Sequence, residues 1–492
     1  MISVLVLTPL VGALAVTALP RRSRAEQQRA RHVALGASLA ALGVAFAVAA
    51  RFDLDAGGTQ MLAEHRWIEP LGAWYAVGVD GIALLLVLLT AILTPVVILA
   101  SYRDELPGRR SANSYVAYML VLEALAFLVF CAQDAFLFYV AFEATLVPIY
   151  FLIGSYGGPG RRKAATTFLL YNLLGGLLML AAVVGLYVVS SDAGEPSYRL
   201  ADLAALPMGD GTERLLFAGF MAAFCIKAPL WPFHTWLPEA AASATPATSV
   251  LMVSVIDKVG TFGMIRWGLG LFPGAADWAS PTIMALAVVS ILYGALAAIG
   301  SSDLRRLVAY TSVSHFGFII LGIFAFTQTS MAGSALYMFN HGLSTAALFL
   351  VTGVMIARRG SAEIGDFGGV QKIAPVMSGV LLVAGLSSLS LPGLAPFVSE
   401  FLVLAGTFTV SVPLAAAATL GIVLAAVYVL VLYRRTMTGP LTEQARGVTE
   451  LTPREIAALT PLVVVIIGLG LFPQPILDLV GPAVAVVVGG LP

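Results

Sequence analysis

Apolar residues gather in blocks of bilayer length, separated by short polar stretches that carry most of the charge. A spanning helix needs roughly 20 mostly apolar residues, and about fourteen blocks fit that template. The first three are residues 2–19, 31–50 and 80–101. Five follow at 114–131, 134–153, 164–189, 214–238 and 247–270, and five more at 281–300, 304–326, 331–357, 375–409 and 412–434. The last runs over 455–486. This pattern predicts an all-α, polytopic membrane protein. The first block has no basic residue ahead of it and a basic cluster behind it, which predicts a retained anchor rather than a cleaved signal.

The polar stretches alternate in their lysine and arginine content. Arg21, Arg22, Arg24, Arg29 and Arg31 open the series, followed by Arg103, Arg109 and Arg110, then Arg161, Arg162 and Lys163. Arg305 and Arg306 come next, then Arg358, Arg359 and Lys372, then Arg434, Arg435, Arg446 and Arg454. Basic loops stay in the cytoplasm, so both termini are expected on the outer side of a bacterial inner membrane. The intervening segments hold only Arg51, Arg66, Arg199, Arg214 and Arg266.

Composition narrows the function. Hydrophobic residues make up 59% of the 492 and charged residues 11%, against about 25% charged in a soluble domain. The lipid bilayer is therefore the expected surrounding. The formal net charge is zero, which gives no reason to expect nucleic acid. Cys131 and Cys225 are too few and too scattered for a disulfide framework or an iron–sulfur cluster. No HExxH, phosphate loop, GxGxxG or CxxC is present. No cofactor or metal is expected on this chain, so driving energy must come from a partner subunit or an ion gradient.

Blocks four to eight and nine to thirteen each make a five-helix unit. Five is odd, so the second unit enters from the opposite side, as in inverted-repeat transporters. The fourth member of each unit carries a proline cluster, KAPLWP at 227–232 and LPGLAP at 391–396. Proline removes a backbone donor and clashes with the preceding turn, so helices 7 and 12 are expected to be broken near mid-membrane. The alternative is a pair of ordinary kinks. The expected organisation is a three-helix segment over 1–110, a first repeat over 114–270, a second, inverted one over 281–434 and a C-terminal helix over 455–492.

An ionisable residue at mid-span costs roughly 2.5–3.5 kcal/mol on insertion scales and is usually paired or functional. Glu123, Glu143, Lys227, Lys258 and Glu400 all fall there, with His315 and His341 in blocks ten and eleven. A histidine with an ordinary pKa of about 6.5 takes up and releases protons. These seven residues form a candidate proton relay along the midplane. Structural alternatives stand beside it: a static Glu143–Lys227 ion pair, local neutralisation of Lys258 by Asp257, and a packing role for Glu123. His234 is a weaker candidate, and His65 has no expected role. Asp80 and Asp134 sit at span ends, where a capping carboxylate is the simpler reading.

FEATLVPIY at 142–150 resembles the fifth helix of the antiporter-like subunits of respiratory complex I. KAPLWPFHTWLPEA at 227–240 resembles their seventh, and AYTSVSHFGF at 309–318 and NHGLSTA at 340–346 resemble the tenth and eleventh. The resemblance runs over most of the chain. It implies a membrane-arm subunit that translocates protons while quinone reduction happens elsewhere in the complex. Its implied partners are the other membrane-arm subunits, including neighbouring antiporter-like ones. It also implies that Glu143 and Lys227, then Lys258, then the twelfth-helix charge form a channel. Two of the large bacterial paralogues usually carry lysine at that last position and the M branch carries glutamate, which Glu400 matches. Asp257 departs from the apolar residue expected before Lys258. The nearest alternative is the related D-type subunit of a multisubunit sodium/proton antiporter. A hydrogenase membrane subunit, a lone solute transporter and a scaffold are more distant ones.

Overall fold

The computed structural model describes residues 1–103, 106 and 111–491. Arg109, Arg110, the side chain of Arg103 and the expected segment limits at 110 and 492 lie outside the described residues. Helices dominate. The N-terminal part comprises α1 (Ile2–Ala18), α2 (Arg24–Ala49), strands β1 (Gln60–Ile68) and β2 (Ala73–Val79), and α3 (Gly81–Ala100). Next come α4 (Ala112–Cys131), α5 (Ala135–Ala144), α6 (Leu146–Tyr156), α7 (Arg161–Ala193) and α8 (Leu200–Ala204). Then follow α9 (Asp210–Lys227), α10 (Trp236–Ser243), α11 (Pro246–Val250), α12 (Lys258–Gly263) and α13 (Pro273–Ile299). The remainder comprises α14 (Leu304–Phe324), α15 (Gln328–Arg359), α16 (Pro375–Ser388), α17 (Ala395–Val410), α18 (Val412–Met437), α19 (Pro453–Leu471) and α20 (Gln474–Gly489).

Eleven helical stretches among the described residues are long and apolar enough to cross a membrane, and α1, α16, α17 and α20 are shorter apolar helices. Length alone therefore does not reach the expected fourteen. Part of the difference comes from the breaks. The twelfth expected span is divided into α16 and α17, and the seventh into α9 and α10.

The breaks follow from backbone accounting. Pro229 and Pro232 offer no amide hydrogen, and α9 stops at Lys227. The carbonyl of Ile226 is freed and accepts from the indole Nε1 of Trp236 at 3.0 Å, while the amide of Trp231 donates to Ser290 Oγ at 3.3 Å. At the second break, Asn340 Nδ2 donates to the carbonyl of Ala395 at 2.8 Å. Side chains thus bond the backbone at both breaks, at the first to a freed carbonyl and amide and at the second to the first carbonyl of α17. A third irregularity lies between α11 and α12. Two π-helical turns, Leu251–Ile256 and Met264–Leu269, flank Lys258, and the amide of Asp257 donates to the carbonyl of Met252 five residues earlier at 2.9 Å. Such wide turns often mark functional positions.

The helical membrane class holds, and one small antiparallel hairpin, β1–β2, accompanies the helices, with Glu64 facing Ala76 and His65 facing Tyr75. One expectation needs correction. The single C-terminal helix is two, because Pro473 ends α19 and a new helix begins at Gln474. The capping readings hold: Asp80 accepts from the amide of Ala83 and Asp134 from that of Leu137, each at 2.8 Å.

The loops sort onto two faces. On one, Arg305 donates to the carbonyl of Ala244, Leu304 to that of Ala362, and Arg358 pairs with Glu455 at 2.6 Å. Arg454 stacks over Tyr102, whose carbonyl accepts from Arg31. This face gathers arginine-bearing loops that are far apart in sequence. On the other, the hairpin meets the start of α5 through Trp74 and Asp134, and Arg199 pairs with Glu64. There Arg266 forms a buried ion pair with Asp80 at 2.6 Å.

Candidate functional site

Lys227 is the last residue of α9, placed at the break by the prolines behind it. Its ammonium is fully buried, donates to Thr145 Oγ1 at 3.4 Å and stands 4.9 Å from the centre of the Phe142 ring. A cation over an aromatic face gains about 0.5–2 kcal/mol, more when desolvated. Glu143 lies beside these residues on α5, half-buried, with Oε1 lacking a hydrogen-bond partner. A Cβ on Gly176 of α7 would overlap the Glu143 carboxylate, so the glycine clears its space. Among the described residues no ion pair joins Glu143 to Lys227. The static ion pair that stood as the structural alternative is not formed, and the lysine is held by a hydroxyl and a ring.

Lys258 begins a series of buried polar side chains linked by hydrogen bonds and ring contacts. Its ammonium donates to the carbonyl of Val253 and meets His341 Nδ1, both at 2.7 Å. With Nδ1 accepting, the neutral imidazole carries its proton on Nε2, and that nitrogen has no protein partner. The His341 and His315 rings stand edge to face, 5.2 Å between centroids. His315 Nε2 lies 3.3 Å from the hydroxyl of Tyr428, and the Tyr337 ring is 5.9 Å from His315. Tyr337 donates to Glu400 Oε2 at 3.2 Å, and Ser390 donates to the same oxygen. Ser390 has φ 58°, a left-handed conformation that a non-glycine residue adopts at a cost of about 1–3 kcal/mol. The second break therefore holds a strained residue whose hydroxyl is aimed at the carboxylate beyond it.

The structure brings six of the seven expected residues into two neighbouring groups: Glu143 with Lys227, and Lys258, His341, His315 and Glu400. Glu123 is buried, but neither carboxylate oxygen has a hydrogen-bond partner, so it is not bonded to the others. His234 packs edge-on against Tyr293 with Nδ1 unpartnered, and among the described residues no hydrogen bond joins its side chain to either group. His65 is exposed on the hairpin. Sequence reasoning missed Tyr337, Tyr428, Ser390 and Gly176. One signal was available: Tyr337 precedes His341 by four residues on one helix, and residues so spaced share a face.

The broken helices, the wide-turned helix and the buried row define a class of ion-translocating membrane protein. The chain belongs to the family described as NADH:quinone oxidoreductase/Mrp antiporter, transmembrane, whose model matches residues 132–425. It is 48% identical to NADH-quinone oxidoreductase subunit M of Mycobacterium tuberculosis, over 98% of this chain and 93% of that one. It is 37% identical to the subunit M of Rhodobacter capsulatus, over 99% and 96%. These full-length matches place it in the subunit M branch. Among solved structures, a chain of respiratory complex I from Thermus thermophilus with bound NADH matches with a TM-score of 0.90 at 32% identity, each chain covered in full. A chain of the Mrp complex from Dietzia sp. DQ12-45-1b matches with a TM-score of 0.84 at 21% identity, over 98% and 97%. That second likeness is one of fold.

Proposed function

We propose that this chain is the proton-translocating membrane-arm subunit M of a bacterial NADH-quinone oxidoreductase, seated in the inner membrane among the other membrane-arm subunits and neighbouring antiporter-like subunits. Glu143, Lys227, Lys258, His341, His315 and Glu400 carry protons along the midplane. Glu123 serves as an accessory acid at the edge of the row. The chain holds no redox group, and electrons pass to quinone elsewhere in the complex. The arginine-rich face is cytoplasmic and both termini lie on the outer side, in keeping with the positive-inside rule. The segments 1–110, 114–270, 281–434 and 455–492 are read as an N-terminal segment, a first repeat, a second, inverted repeat and a C-terminal segment.

The observation that carries this reading is the buried series from Lys258 through His341, His315 and the two tyrosines to Glu400. Each member can hold or pass a proton, and burial of such groups in apolar surroundings is costly without a role. The sodium/proton exchanger alternative shares the family and the fold, whereas the full-length relatives at 37–48% identity are subunits M of NADH-quinone oxidoreductase. In the assembled complex, Glu143→Ala and Lys227→Ala should each lower NADH-driven proton pumping by about tenfold or more. Coupled quinone reduction should fall with it. Wild-type pumping in well-assembled variants would defeat the assignment.

A further inference from the structure

Between the two groups lies a gap. Lys227 ends one and Lys258 begins the other, and no hydrogen bond between them is found among the described residues. Asp257 occupies the seam. It is 1% exposed, and neither carboxylate oxygen has a hydrogen-bond partner. Its helix presses directly on the α9 break: a Cβ on Gly260 would lie 2.6 Å from the amide nitrogen of Ala228, the residue after Lys227. Asp257 precedes Gly260 by three residues, and positions so spaced share a helix face.

The bland explanation is a structural counter-ion, and the geometry argues against it. Lys258 donates to Val253 and meets His341, while Lys227 donates to Thr145. No ion pair involves Asp257 among the described residues. A packing role would favour an apolar side chain of similar size, since an unpartnered buried polar group costs about 1–3 kcal/mol.

We infer that Asp257 is a proton-carrying residue that joins the Lys227 group to the Lys258 group, an additional relay site on the proposed path. The inference rests on the proton-relay reading above. In the first step the Lys227 ammonium gives its proton to the Asp257 carboxylate, leaving a neutral amine and a carboxylic acid. In the second, that acid gives the proton to a neutral Lys258 amine and returns to carboxylate. Charge is conserved in each step, and a bridging water serves wherever the groups are not in direct reach. The wide turn ending at Asp257 gives the carboxyl a position that a regular helix would shift.

The test uses the intact complex in sealed vesicles, reading protons moved per NADH oxidised and the infrared difference spectrum on turnover. Asp257→Asn keeps the volume and removes the proton site, so pumping should fall by about tenfold. Asp257→Glu keeps the carboxyl and should retain most pumping. Wild-type pumping by Asp257→Asn, while Lys258→Ala pumps poorly, overturns this inference alone; wild-type pumping by both overturns the relay reading itself. Should Asp257→Asn fail to assemble, the infrared comparison decides. A carrier gives a carboxylic C=O band on turnover that shifts in Asp257→Glu, and an identical band in both complexes overturns the inference.

Discussion

Glu400 accepts from two hydroxyls on different elements, Tyr337 of α15 and Ser390 of the second break. Hydrogen bonds to an ionised group are worth about 1.5–3 kcal/mol, so both donors favour the charged carboxylate. Ser390→Ala should therefore weaken the site's hold on negative charge and slow turnover several-fold, measurable as NADH-driven pumping, while the backbone strain stays in place. Gly176→Ala makes a second residue-scale test. The added methyl collides with the Glu143 carboxylate, and pumping should fall although no titratable group has changed. Charges in apolar runs are conspicuous, and Glu143, Lys227, Lys258 and Glu400 were legible for that reason. Tyr337, Tyr428 and Ser390 were not, because a tyrosine or serine in a membrane helix is ordinary until its neighbours in space are known.

Proline clusters at 229–232 and 392–396 announced the two broken elements, and the structure places both breaks there. The partners that make each break tolerable were hidden, since they come from elsewhere in sequence or from a side chain whose rotamer sets the contact. Trp236→Phe keeps the aromatic bulk and removes the donor to the Ile226 carbonyl. Leaving that carbonyl unsatisfied should cost about 1–3 kcal/mol, visible as earlier thermal inactivation of the assembled complex. The hairpin escaped notice because its strands, at nine and seven residues, are far shorter than the blocks that define spans. The division of the last helix at Pro473 escaped notice because the residues on both sides of it are mostly apolar, so the two short helices read as one block.

Across the whole molecule, the alternation of basic loops appears as two distinct faces, one threaded by Arg305, Arg358 and Arg454, the other built around the hairpin. Arg266 belongs to the second and is held by Asp80 inside the protein. Removing one partner of a buried ion pair costs about 3–5 kcal/mol. Arg266→Leu should therefore destabilise the chain strongly, and adding Asp80→Asn, which still caps α3, should recover much of the loss in a thermal assay. Between the faces runs the row itself, and its far end offers the most direct test of proton passage. Protons moved per NADH oxidised should be measured for the assembled complex carrying Glu400→Ala, in sealed vesicles. The account predicts a severe loss, with Glu400→Gln similarly impaired. An unchanged proton yield with alanine at that position would contradict it.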